Sequence, residues 1–368
     1  MNAQDVVASD LDYICGNLQG ELSQIAGKNV LMTGGAGFLG YYIVQALLHW
    51  NDTVGKSERV QITVLDNFIR GVPGWIKGLE GEGCEILQHD ITQPLPATIK
   101  NFSYIIHAAS IASPTYYRKF PIETLDANVN GLRILLDETL RRKENKDPID
   151  GFLFFSSSEV YGNPSPEFIP TPETYYGYVS FTGPRACYDE SKRFGETLCV
   201  NFARQYELPI TIARPFNNYG PGLRITDRRV VPDFAKDILS GKDIVMLSDG
   251  SPSRTFCYVA DAVVGYFKTL VKGRSGEAYN IGVEAPEISM HEVALKMIDI
   301  AESLFSYSGQ VVCQKSNDPE YLVDNPNRRC PNIDKAGRDL GYEPTISFEE
   351  GLKRTLLWYA DHSENEEN

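Results

Sequence analysis

The feature that most constrains this chain is a glycine spacing, Gly34-x-x-Gly37-x-x-Gly40, set between an apolar stretch and a helical one. Lys28–Thr33 reads as a short strand, and the pattern after Gly40 predicts a helix through Leu48. Glycines in a strand-to-helix turn let the backbone come close to a pyrophosphate, which the helix N-terminus then attracts. A second strand, Val60–Leu65, ends in Asp66. A carboxylate there accepts hydrogen bonds from a ribose diol and repels a 2′-phosphate, which favours NAD over NADP. The separation of Asp66 from the glycines exceeds the usual ~20 residues, and the polar insertion 51–59 accounts for the excess. Asp66 also has a plainer reading as a turn cap.

Strands and helices continue to alternate. Cys84–His89 predicts a third strand with Asp90 at its end, placed to meet an adenine; Tyr104–Ala108 predicts a fourth, running into the small residues Ala108, Ala109 and Ser110. A helix is expected over Ile122–Arg142, containing Asn128, then a fifth strand, Gly151–Phe155, followed by Ser156-Ser157-Ser158-Glu159. A helix from about residue 185 to Gln205 and a sixth strand, Pro209–Arg214, come next. This is the order of an α/β, Rossmann-like, doubly wound parallel sheet, which binds ligands beyond the carboxyl ends of its strands. The expected division is an N-terminal helical extension over 1–26, packed on the outside, and a dinucleotide-binding domain over 27–214, to which 254–283 returns. A smaller α/β substrate lobe comprises 215–253 and 284–362, and the polar tail 363–368 is expected to be disordered.

Composition excludes several classes. A net charge of −14 argues against nucleic-acid binding, and no apolar run is long enough to cross a membrane. The seven cysteines contain no Cys-x-x-Cys pair, which suits free thiols in a reducing cytoplasm better than disulfides or a metal site, and no metal is expected. Met1–Asp10 carries neither a basic stretch nor an apolar core, so no signal peptide is expected.

Chemistry is concentrated in Gly183–Arg193. Of the 20 tyrosines, only Tyr188 has a lysine four positions on, Lys192. On a helix the two share a face. An ammonium beside a phenol favours the phenolate, so the Tyr188 pKa is expected to fall towards neutrality, fitting it to take a proton from a sugar hydroxyl. An ordinary amphipathic helix would show the same spacing.

Taken with Ser157-Ser158-Glu159-Val160-Tyr161-Gly162, Arg214–Pro221 and Arg254–Asp261, these motifs resemble the extended short-chain dehydrogenase/reductase family, whose members act on nucleotide sugars. The resemblance covers about residues 28–360. It implies Tyr188 as base, Lys192 on the nicotinamide ribose and Ser157 on the sugar 4-hydroxyl, with Ser158, Glu159 and Arg254 completing the catalytic set. It implies NAD held by Gly34, Gly37, Phe38, Leu39, Gly40, Asp66, Asn67, Asp90, Ile91, Ala108, Ala109 and Asn128. It implies nucleotide-sugar binding by Pro114, Arg185, Asn217, Val231, Arg254 and Arg329, and a homodimer joined through a four-helix bundle of helices 122–142 and 185–205.

Within the family, Ala112-Ser113-Pro114 with Pro121–Leu125, Gly183–Arg193 and Asp324–Ile333 resemble the UDP-glucuronate decarboxylases. Related 4,6-dehydratases carry an aspartate where this chain has Ser158. Expelling water needs an acid for the departing hydroxyl, whereas CO2 leaves without one. UDP-glucuronate is therefore the favoured substrate. Dehydration, 4-epimerisation and a non-catalytic NAD or nucleotide-sugar sensor are the alternatives. Ser157 in place of threonine, the N-terminal helix and Cys330 depart from the decarboxylase pattern.

Overall fold

A computed structural model describes residues 1–81, 83–320 and 322–362. Its centre is a parallel sheet made by β1 (Asn29–Thr33), β2 (Gln61–Asp66), β3 (Cys84–Gln88), β4 (Tyr104–His107), β5 (Gly151–Phe155), β6 (Ile210–Pro215) and a last strand, Ala278–Ile281. Across the sheet the order is Ala278–Ile281, β6, β5, β4, β1, β2, β3. β1 pairs with β2 on one side and β4 on the other, so the chain reverses its winding there and leaves a crevice above the strand ends.

Twelve α-helices are found among the described residues, some on the sheet and some in a smaller lobe. They are α1 (Ala3–Gly16), α2 (Gln19–Ile25), α3 (Phe38–Asn51), α4 (Pro114–Lys119), α5 (Pro121–Asp126), α6 (Leu132–Glu144), α7 (Ala186–Tyr206), α8 (Val230–Leu239), α9 (Val259–Lys272), α10 (Met290–Phe305), α11 (Asp334–Leu340) and α12 (Phe348–His362). Both sheet faces are covered, which explains the apolar runs of the central strands, Val30–Met32 of β1, Tyr104–Ile106 of β4 and Phe152–Phe155 of β5. Val30 and Met32 of β1 face the layer containing α3 and α9, while Leu31 faces α6 and α7 through Leu132, Leu135, Cys199 and Phe202. Beyond β6, the segment 216–258 leaves the sheet and α9 returns to it. The excursion and the residues after 283 build a smaller lobe with a three-stranded sheet in which Ser253–Arg254 lies between Ile288–Ser289 and Arg328–Arg329.

Three expectations change. The N-terminal stretch is two helices, not one, broken after Asn17, whose amide side chain bonds the Tyr13 carbonyl. It packs on the outside as expected, with one face exposed, but its inner face belongs to the core. Val6, Ile14, Leu18, Leu22 and Ile25 are fully buried, and Asp10 accepts hydrogen bonds from Tyr42 (2.5 Å), Tyr258 (2.6 Å) and Arg354 (2.6 Å). The helix expected over 122–142 is interrupted by a π-helical turn, 127–131, between α5 and α6. That turn carries Asn128 inward, where its amide donates to Ser191 of α7. Where residues 318–331 were expected to form only a loop, the strand Arg328–Arg329 forms, and α11 follows that stretch. Residues 363–368, expected to be disordered, lie outside the described residues.

Candidate active site

A cleft of about 840 Å³ opens above the carboxyl ends of β1, β2, β4, β5 and β6 and is closed on its far side by the smaller lobe. At one end lies the glycine turn. Gly34 has φ +73°, and a Cβ there would sit 2.5 Å from the Ala109 nitrogen; one on Gly40 would overlap the Gly35 carbonyl. Gly37 is the extended N-cap of α3 and supplies no side-chain cap, so the first-turn N–H groups of Phe38 and Leu39 are left to a ligand. Asp66 accepts from Ala36 N (3.0 Å) and Phe68 N (2.8 Å), and burial raises its pKa. Asn67, Asp90, Ile91, Ala108 and Ala109 line the same end. An uncapped helix start beside a buried carboxylate suits a dinucleotide, with the diphosphate on the N–H groups and a ribose on Asp66. Asn128 does not line the cleft. It stands behind it with Oδ1 unpartnered.

At the other end, Tyr188 in the first turn of α7 meets Ser157 and Lys192. Lys192 Nζ donates to the Phe155 carbonyl (2.8 Å) and lies 5.7 Å from the centre of the Tyr188 ring. The expected fall in the Tyr188 pKa does not occur. Burial drives it up to about 12, with partial relief from Ser157. Burial also lowers Lys192 to about 7, against the charge that would stabilise a phenolate. The Tyr188 ring is held by stacking on Tyr117 (centroids 5.1 Å apart, planes at 12°).

Glu159 forms the floor. Its carboxylate pairs with Arg185 (Oε2 to Nη2, 2.5 Å) and, through Oε1, with Arg329. Burial works to raise its pKa, but the two guanidiniums outweigh it and hold the group ionised. Arg329 is buried, donates also to the Gly162 carbonyl and does not line the cleft, so it supports Glu159 instead of facing a nucleotide as expected. Arg254 does line the cleft. It donates to the carbonyls of Ser253 (2.7 Å), Pro326 (2.7 Å) and Asn327 (3.2 Å), and among the described residues no carboxylate lies within ion-pair distance. Burial, then the Arg329 charge, lowers it to about 9. A half-buried guanidinium that faces the cleft, with Glu159 and Glu287 near it but neither in ion-pair contact, offers its charge to an anion. Pro114, Ser158, Arg185, Asn217 and Val231 also line this region, and Asn217 is tied to the Thr255 carbonyl (2.8 Å).

The sequence reading missed Tyr117 and a clasp over the cleft. Asp227 is buried and pairs with Arg70 (2.7 Å) and Arg229 (2.5 Å), while Arg224 bonds the carbonyls of Arg70 and Gly71. The loop after β2 is thereby joined to the smaller lobe. The run of three arginines at 224–229 was visible, but nothing in the sequence pairs them with a loop some 155 residues earlier.

The sequence profile of the NAD dependent epimerase/dehydratase family matches residues 30–282. The chain belongs to this family. NAD is its cofactor, and it is an enzyme of the extended short-chain dehydrogenase/reductase type. It is 36% identical over 324 residues to UDP-glucuronic acid decarboxylase 3 of Arabidopsis thaliana, covering 88% of this chain and 86% of that one. It is 34% identical over 351 residues to UDP-glucuronic acid decarboxylase 1 of Danio rerio, covering 94% and 76%. The crystal structure of UDP-glucuronic acid 4-epimerase from Bacillus cereus, in complex with UDP-glucuronic acid and NAD, superposes with a TM-score of 0.72 at 26% identity, covering 90% of this chain and 99% of that one.

Proposed function

We propose that this enzyme decarboxylates UDP-glucuronate to UDP-xylose through a 4-keto sugar, with NAD restored at the end of each cycle. The observation that carries the reading is 34–36% identity to UDP-glucuronic acid decarboxylases over 88–94% of the chain. The site supports it. At the Ser157 end the cleft offers Ser158 and an ionised Glu159, neither of them an acid suited to expelling a hydroxyl, while Arg254 offers a charge to an anionic sugar or diphosphate.

Tyr188 takes the proton of the sugar 4-hydroxyl and later returns it, with Ser157 hydrogen-bonded to the same oxygen. NAD, held by the Gly34–Gly40 turn and Asp66, would supply the acceptor for the C4 hydride and its source on return. Lys192 holds the nicotinamide ribose. Oxidation at C4 makes the C6 carboxylate β to a carbonyl, so CO2 departs as the carbonyl oxygen gathers the electrons, and donors from Tyr188 and Ser157 stabilise the enolate. Protonation at C5 completes the pentose. Glu159, kept ionised by its arginines, is suited to ordering a water there and ill suited to holding the proton itself. The deciding experiment is purified protein with UDP-glucuronate and trace NAD⁺, followed by mass. A product lighter by one CO2 is expected. An isomer of equal mass would make the enzyme an epimerase, and loss of water from a nucleotide hexose without reaction on UDP-glucuronate would make it a dehydratase.

We also propose a homodimer in the cytoplasm. Ile122 on α5 and Phe194 on α7 are 63% and 50% exposed on the faces that a four-helix bundle would cover, and all seven cysteines are free. A monomer in light scattering at micromolar concentration would rule out the dimer.

A further inference from the structure

Asp189 follows Tyr188 on α7, with a side chain only 6% exposed. Its Oδ1 has no hydrogen-bond partner. Its Oδ2 stands 3.7 Å from Arg185 Nε, too far for a hydrogen bond, and that Nε is also buried and unpartnered. The other end of Arg185 is committed to Glu159 at 2.5 Å. One guanidinium is therefore shared unequally between two buried carboxylates, and the incomplete contact is with Asp189. Arg185 lines the cleft and Asp189 does not, so Arg185 is the member of the pair that a ligand touches. Arg185 also stands 5.9 Å over the ring of Tyr117, which stacks on Tyr188.

We propose that Asp189 is a positioning residue that steadies Arg185 until the sugar arrives, cedes it to the carboxylate of the incoming sugar, and takes up a proton from solvent in exchange. This rests on the reading that the substrate is a nucleotide uronate. The groups facing Asp189 are Glu159 from the turn 158–161, Arg329 from the strand 328–329, Asp324 from the loop before it, Arg185 at the start of its own helix, and the phenols of Tyr117 and Tyr188. Burial and Glu159 already raise the Asp189 pKa towards neutrality, against the pull of Arg185 and then Arg329. Drawing Arg185 towards a third carboxylate weakens the larger of the two attractions. The carboxyl then becomes the stable form, and no buried anion is left unpaired.

The test uses the Tyr188→Phe enzyme saturated with NAD, whose turnover is slowed enough for binding heats to be separated from reaction. UDP-glucuronate and UDP-glucose are each titrated calorimetrically near neutral pH in two buffers of different ionisation enthalpy. Net proton uptake is expected with UDP-glucuronate and not with UDP-glucose. Affinity for UDP-glucuronate, relative to UDP-glucose, should weaken severalfold as pH rises from about 6.5 to about 8. Titration of Lys192 affects both sugars and drops out of the comparison. Adding Asp189→Asn should remove both differences. Equal proton counts for the two sugars, or a count unchanged by Asp189→Asn, would overturn the inference. If that variant does not fold, the two-sugar comparison in the parent decides. Failure of UDP-glucuronate to bind would overturn the substrate reading and this inference together, whereas binding without proton uptake overturns this inference alone.

Discussion

Replacing Asp10 tests whether α1 is part of the core. In Asp10→Ala, the hydroxyls of Tyr42 and Tyr258 lose their acceptor; both residues are at most 1% exposed. A buried hydroxyl left unpaired costs about 1–3 kcal/mol. Arg354 keeps Glu350 at 2.8 Å, so it is not stranded. Relief from burying a carboxylate offsets part of the loss, for a net destabilisation of about 3 kcal/mol. For a chain of this length that is roughly 4 °C in Tm. Asp10→Asn keeps the shape and one acceptor and should cost about 1 kcal/mol.

The pH dependence of that smaller difference is the sharper measurement. Burial raises the Asp10 pKa in spite of Tyr258, Tyr42 and Arg354. The unfolded chain ionises this group from about pH 4, while the folded chain holds its proton to higher pH. Stability from the protonated group is present below the unfolded pKa and is lost as pH rises towards the folded one. Wild type should therefore lose ground to Asp10→Asn between about pH 4 and neutrality, read by urea unfolding with tryptophan fluorescence. A wild-type advantage that grows with pH over this window would mean that Arg354 keeps Asp10 ionised, and would refute the reasoning.

Two further changes probe the cleft directly. Tyr188→Phe should lower turnover about 10²–10⁴-fold while NAD still quenches protein fluorescence; near-normal turnover would remove Tyr188 from the chemistry. Gly40→Ala drives a methyl into the Gly35 carbonyl within a turn that has no slack, so NAD affinity should fall at least tenfold with loss of thermal stability, and unchanged binding would show that the turn adapts.

The sheet and the glycine turn were legible because local sequence determines them. Apolar runs the length of a strand, alternating with helical patterns, admit few other folds. Tyr188 and Lys192 were legible for the same reason, since four helical residues define their relation. What could not be read depends on distant parts of the chain. Glu159 and Arg329 are 170 positions apart, so neither the ionised state of Glu159 nor the withdrawal of Arg329 from the cleft has a local signature. The Tyr188 pKa was misjudged because a neighbouring lysine is visible in a sequence and complete burial is not. α1 shows a regular helical period, and that period cannot distinguish a helix resting on a surface from one that buries an aspartate.

The contact between α1 and α12 bears on how the chain is made. Asp10 and Arg354 are separated by 344 residues. At synthesis rates of about 5–20 residues per second, α1 exists for roughly 20–70 s before its last partner leaves the ribosome. In that interval α3 offers it Tyr42 and the His49–Asp12 pair, but the surfaces awaiting α9 and α12 stay uncovered. The nascent chain thus carries a greasy, half-docked hairpin of helices, which makes this end of the molecule the place where holding chaperones have most to protect.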